Sequence, residues 1–227
     1  MKALSKSLLV ALLIAAARAN AQFEGIVESR NYTLDERGAG QYFNMTIWVR
    51  RDMAKIRIPS MGEIPGSTVI YRHDRKISYV FNDEEKTYFE VSLANQETEQ
   101  PQRDQDPDKP KVVRTKRMRK ILGFACEQLK LKRGESETEI WGTKSLGDLA
   151  TRLDSLLGDS ETRSQGTDME LLRQLKLFPL VSVTRFEGKV VDSQEVTKII
   201  RRGLTEDLFT VPIGYRKQPA MESIDDH

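Results

Sequence analysis

Cysteine and histidine are almost missing from this chain: there is one cysteine, Cys126, and two histidines, His73 and the terminal His227, in 227 residues. A single cysteine excludes an intramolecular disulfide, so stability has to come from packing. A thiol nucleophile needs a basic partner and a transition-metal site needs several imidazole or thiolate ligands, and the chain holds too few of either. Cys126 therefore reads as a small buried hydrophobe on a strand, and neither a metal nor an organic cofactor is expected. Also missing are a nucleophile elbow, a phosphate-cradling loop and a dinucleotide fingerprint; Gly38 and Gly40 sit in an Arg-Gly-Ala-Gly turn between strands. Asp83-Glu84-Glu85 are adjacent acids, but at a hairpin tip they are solvated and lack the burial that shifts a pKa. The expectation is a protein without catalytic activity.

Long apolar runs are scarce too. The longest, Leu8 to Ala17, is closed by Arg18 and falls well short of the ~20 residues of a membrane-spanning helix. Lys2 and Lys6 precede it and Ala19-Asn20-Ala21 follow it, which is the pattern of a secretory signal cleaved after Ala21. A periplasmic or secreted protein beginning at Gln22 is expected, with no transmembrane segment and, for want of a cysteine after the cleavage site, no lipid anchor. Lys2, Lys6 and Arg18 are the only charged residues in that segment, so the mature chain keeps 33 of 36 basic residues against 34 acidic ones, a net charge of −1. Such a balance gives no global field for nucleic acid.

What the mature chain does have is strand patterning. Phe43, Met45, Ile47 and Val49 alternate with Asn44, Thr46, Trp48 and Arg50, the period of a strand with one face on a core. Ile56 and Ile58 continue it after an Arg51-Asp52 turn, and Thr68 to Arg72 form a further short strand. Ile77 to Phe81 and Thr87 to Val91 make a hairpin; with Asp83 to Glu85 as its loop, Tyr79 and Phe81 share a face with Phe89. Residues 95–111 lack apolar side chains and contain Pro101, Pro107 and Pro110 with five acids, so they read as a disordered loop. Arg114, Lys116, Arg117, Arg119 and Lys120 follow, read either as an anion or nucleic-acid contact or as a solvated edge strand blunted by charge, which the balanced charge and lack of interleaved aromatics favour. A second hairpin is expected to turn at Arg133-Gly134, placing Lys130 and Lys132 opposite glutamates and Leu129 and Leu131 on the other face.

Helical spacing enters late. Leu146, Leu149, Leu153, Leu156 and Leu157 predict one amphipathic helix with Ser145 as N-cap and Gly158 as its stop, and Leu171, Leu172, Leu175 and Leu177 predict a second. Leu180 to Phe186 and Val190 to Ile200 return to strands around a Glu187-Gly188 turn. One domain over 22–216 is expected, followed by a flexible tail over 217–227.

Phe23-Glu-Gly-Ile26, Glu85-Lys-Thr-Tyr88, Ile121-Leu-Gly-Phe-Ala-Cys126, Ile140-Trp-Gly-Thr143 and Phe209-Thr-Val-Pro-Ile-Gly-Tyr215 together resemble the exported bacterial family known as domain of unknown function 4412. That family is similar in plan to the LolA and LolB lipoprotein carriers. The resemblance implies an α+β fold: a strongly curved antiparallel sheet, an unclosed half-barrel, with helices packed on the concave face.

It also implies a hydrophobic cavity between sheet and helices for a lipid or a lipoprotein acyl chain. The inward candidates for its wall are Phe43, Met45, Ile47, Val49, Tyr79, Phe81 and Phe89. The leading expectation is a carrier of such a ligand. The competing one is a solid structural or interaction protein of the cell envelope that meets a protein partner through its outer surface.

Overall fold

In the computed structural model the described residues are 22–34, 37–60, 65–93, 110–157, 171–172 and 174–219. The expected signal, the acidic segment 95–109 and the Gly158 helix stop lie outside them. Twelve strands form one unclosed sheet: β1 (Gly25–Leu34), β2 (Gly40–Arg50), β3 (Met53–Ile58), β4 (Ser67–Arg72), β5 (Ile77–Asn82), β6 (Thr87–Ser92), β7 (Lys111–Ile121), β8 (Phe124–Arg133), β9 (Ser136–Thr143), β10 (Phe178–Phe186), β11 (Lys189–Arg201) and β12 (Arg216–Lys217). Their spatial order is β12-β6-β5-β4-β3-β2-β1-β11-β10-β9-β8-β7. All neighbours are antiparallel except β12, which runs parallel to β6. β7 thus begins at Lys111, inside the stretch expected to be a loop. At the other end Gln218 N still donates to Tyr88 O at 2.8 Å, beyond the expected start of the tail.

One helix, α1 (Gly147–Leu157), stands among the described residues. It is entered through a 3₁₀ turn, Lys144–Leu146, whose cap is Thr143: its Oγ1 accepts from Ser145 N. The cap therefore lies two residues before the serine that the sequence suggested. Of the expected second helix, residues 171, 172 and 174 are helical among the described residues; Leu175 N donates to Leu171 O at 3.0 Å and Leu177 N to Leu172 O at 2.8 Å, and β10 begins at Phe178.

Side chains that oppose each other directly across a ladder share a side, so one side can be followed over the sheet. Leu129, Ile140, Ser182, Gln194, Asn31 and Phe43 form such a row across β8, β9, β10, β11, β1 and β2. Val27, Ile47 and Val49 belong to the same side, here called inner. Over β8 and β9 this side buries Leu129, Leu131 and Ile140 beneath Leu172 and Leu177. Over β1 to β4 it buries Val27, Ile47, Val49, Ala54 and Tyr71 in the cluster that includes Leu146, Leu149, Leu153 and Leu156 of the α1 region.

That cluster also takes in Cys126, Trp141, Phe178 and Leu180. Trp141 pairs with Val181, Val181 with Glu195 and Glu195 with Arg30, which puts Trp141 on the side opposite Val27. The two sides meet because the sheet parts. Leu180 is extra in the β9–β10 ladder and Thr197 in the β1–β11 ladder, and beyond these bulges β10 and β11 no longer pair with each other. The helix α1 packs against both β3 and β10.

The outer side of β1 to β5 is covered by the C-terminal segment. Leu204, Phe209, Val211 and Tyr215 pack over Ile26, Trp48, Met53, Ile70, Tyr79 and Phe81.

Candidate functional site

The β5–β6 hairpin decides which residues form the inner wall. Asn82 Oδ1 accepts from the amides of Glu84 and Glu85, each at 3.1 Å, and Lys86 adopts φ 53°. These features close a four-residue loop, Asp83–Lys86, so that Asn82 opposes Thr87, Phe81 opposes Tyr88 and Val80 opposes Phe89. The sequence pattern predicts a three-residue loop, Asp83 to Glu85. One residue more in the loop turns one strand over relative to the other, since side chains alternate with period two.

Tyr79 and Phe81 are consequently on the outer side, not the inner one. There Phe81 meets Tyr215 edge-on at 5.3 Å between centroids, and Tyr79 meets Tyr88 at 5.8 Å. They hold the C-terminal segment. Phe43, Met45, Ile47, Val49 and Phe89 do share the inner side. Ile47 and Val49 are buried beneath α1, whereas Phe43, Met45 and Phe89 are half-buried.

Three residues that the sequence reading left out complete the wall: Ile56, Val69 and Val80. Ile47 opposes Ile56, Ile56 opposes Val69, Val69 opposes Val80 and Val80 opposes Phe89, a continuous apolar row over five strands. Its first member is 7% exposed beneath α1. Every later member is half-buried, and Val91 in the neighbouring row is 39% exposed. Alternation in β3 and β4 carried this signal for Ile56 and Val69; Val80 was hidden by the hairpin register.

Polar contacts anchor the outer covering. The Arg72 side chain, 2% exposed, donates through Nε to Asp74 Oδ1 at 2.8 Å, and through Nη2 to Asp74 Oδ2 at 2.6 Å and Glu206 Oε1 at 2.9 Å. The Arg72 hydrogen bonds hold the Asp74 carboxyl below the usual carboxylate range. Tyr215 OH donates to Asp83 Oδ1 at 2.6 Å, and that bond raises the phenol above its ordinary value.

Cys126 is fully buried on β8, as its sequence context suggested. Its Sγ donates to Phe124 O at 3.5 Å, and burial pushes the thiol up. His73 Nε2 lies 2.8 Å from Leu156 O at the end of α1. A depression of about 460 Å³, open to solvent, is lined by Arg30, Tyr42, Phe43 and Asn44. Among the described residues no helix is long and apolar enough to cross a membrane.

A family model described as "Domain of unknown function (DUF4412)" matches residues 23–215. The chain belongs to this family. Among curated proteins none matches the sequence. Solved structures with a similar course include an uncharacterised conserved protein from Thermus thermophilus, at 10% identity and TM-score 0.47 over 92% of this chain and 98% of that one. A LolA superfamily protein from Nitrosomonas europaea is similar at 12% identity and TM-score 0.37, over 83% of this chain and 90% of that one. MucB, solved in complex with MucA(peri), is similar at 13% identity and TM-score 0.40, over 88% of this chain and 58% of that one.

Proposed function

We propose that this protein is a non-catalytic binder of an apolar ligand, such as an acyl chain, held against the inner wall of β2 to β6 in the cell envelope. The row Ile47–Ile56–Val69–Val80–Phe89 carries the reading: it starts under α1 and continues as half-buried apolar surface toward the sheet edge. A ligand lying along it would cover surface worth about 25 cal/mol per Å². The signal-like residues 1–21 support the location, and the burial of Cys126, which pushes its thiol up, supports the lack of catalysis.

Lipid mass spectrometry of the purified mature protein, with binding of a fluorescent fatty acid, tests the proposal. Val80→Asp should weaken probe binding on the order of tenfold, while Arg57→Ser, exposed on the outer side, should leave it unchanged. Repeated absence of both co-purifying lipid and probe binding would refute it. One observation favours a second reading, a solid interaction protein: Leu149, Leu153 and Leu156 of α1 are already packed to 1%, 6% and 3% exposure.

A further inference from the structure

Among the described residues β7 is an edge strand, paired only with β8. Its eleven residues include Lys111, Arg114, Lys116, Arg117, Arg119 and Lys120 and no carboxylate, and all six cations are exposed. Among them stand apolar side chains that are also exposed: Val112 at 42%, Val113 at 54%, Met118 at 63% and, at the β7–β8 turn, Leu122 at 44%. Val113 opposes Lys130 and Met118 opposes Glu127, so the apolar residues project to both sides of the strand. The surface is the rim itself. In a mature chain of net charge −1, this concentration of one sign is local.

From this pattern we infer that the β7 rim docks on an anionic phospholipid bilayer. Lys and Arg lay their stems along the interface with their charges at the headgroups, while Val113, Met118 and Leu122 enter the acyl boundary. A protein strand added to this edge fits less well, because a bulge interrupts the ladder between Arg114 and Met118. Lys116 there has φ 61°, Arg117 N donates to Thr115 Oγ1 at 3.3 Å, and Thr115 Oγ1 donates to Gln128 Oε1 at 2.6 Å. Such bulges blunt an edge against strand addition, whereas a bilayer needs no continuous row of amides. A single-stranded nucleic acid would want exposed aromatic platforms, and β7 has none. The rim is separate from the apolar wall and does not depend on it.

Co-sedimentation of the full mature protein with vesicles tests the inference, comparing phosphatidylglycerol/phosphatidylethanolamine with pure phosphatidylcholine. Binding should be confined to the anionic vesicles and fall with salt. The quadruple variant Arg114→Gln, Lys116→Gln, Arg117→Gln, Lys120→Gln should bind on the order of a hundredfold more weakly; Arg119, stacked 4.2 Å over Trp141, is left in place. Val113→Ser with Met118→Ser should cost on the order of tenfold. Both variants alter exposed side chains only and should melt like the parent. Equal binding to phosphatidylcholine, or an unaffected apolar double variant, overturns the inference. Tighter capture by polyglutamate than by anionic vesicles also overturns it, assigning the rim to an acidic polypeptide.

Discussion

Replacing Arg72 by methionine should loosen the C-terminal segment from the sheet. The guanidinium contacts fall into two groups. Those to Asp74 are local, two residues away, and Asp74 can return to water at modest cost. Those to Glu206 Oε1, at 2.9 Å, and Phe209 O, at 3.4 Å, join β4 to residues more than 130 positions later. A hydrogen bond to a charged group contributes about 1.5–3 kcal/mol when buried. Glu206 is 53% exposed, which reduces its share to ~1 kcal/mol, and the long Phe209 contact adds about half of that. With about 1 kcal/mol from the Asp74 fork, the loss is about 2–3 kcal/mol, or roughly 5–10 °C in melting temperature for a domain of this size. Urea unfolding of Arg72→Met, Glu206→Gln and the double variant measures it, and the cycle should show coupling near 1 kcal/mol. Buried ion clusters replaced by apolar side chains of similar size sometimes gain stability. If Arg72→Met is neutral or stabilising, the network does not hold this segment down.

The same network sets an acid limit. Asp74 is held below its unfolded value by Arg72, so its contribution is complete above the unfolded pKa of about 3.9 and disappears as pH falls through the lower folded value; the urea midpoint should drop across that range, less so in Arg72→Met. Leu149→Ala, at a side chain 1% exposed in the α1 cluster, should cost ~2–5 kcal/mol in denaturant unfolding. Gly25 has φ 153° and a Cβ there would collide with the Ile200 carbonyl, so Gly25→Ala should unfold several degrees earlier in calorimetry. Cys126 should react with a thiol reagent only at the rate of global unfolding, and a fast native-state reaction would contradict its burial.

Two hairpins show what a sequence can and cannot reveal about a wall. In β8–β9 the turn falls on Gly134-Glu135 instead of Arg133-Gly134, displaced by one residue at unchanged loop length. Lys132 then opposes Glu137 and Lys130 opposes Glu139, so the partners change while both faces keep their composition; Lys130 Nζ lies 2.7 Å from Glu137 Oε1. In β5–β6 the loop gained a residue, and Tyr79 and Phe81 moved to the opposite side. Alternation reports which residues of one strand share a side, whereas loop length fixes the relation between strands, and the Asn82 bonds that set it leave little trace in composition. Alternation likewise placed Phe43, Met45, Ile47 and Val49 on one side, and the leucine spacing located α1. The parting of β10 from β11 depends on two bulges lodged side by side by strands distant in sequence, which no local pattern announces.

The position of β1 in the middle of the sheet has a kinetic consequence. β1 to β6 can zip together in sequence order, and β7 to β9 can do the same, but Gly25 finds its second partner only at Arg201. The seam between the two pieces closes across nearly the whole chain, a loop-closure cost that local contacts cannot share. Until β11 arrives, β1 presents an unpaired edge, so truncation before residue 201 or slow delivery of the last strands should favour aggregation over a stable partial fold.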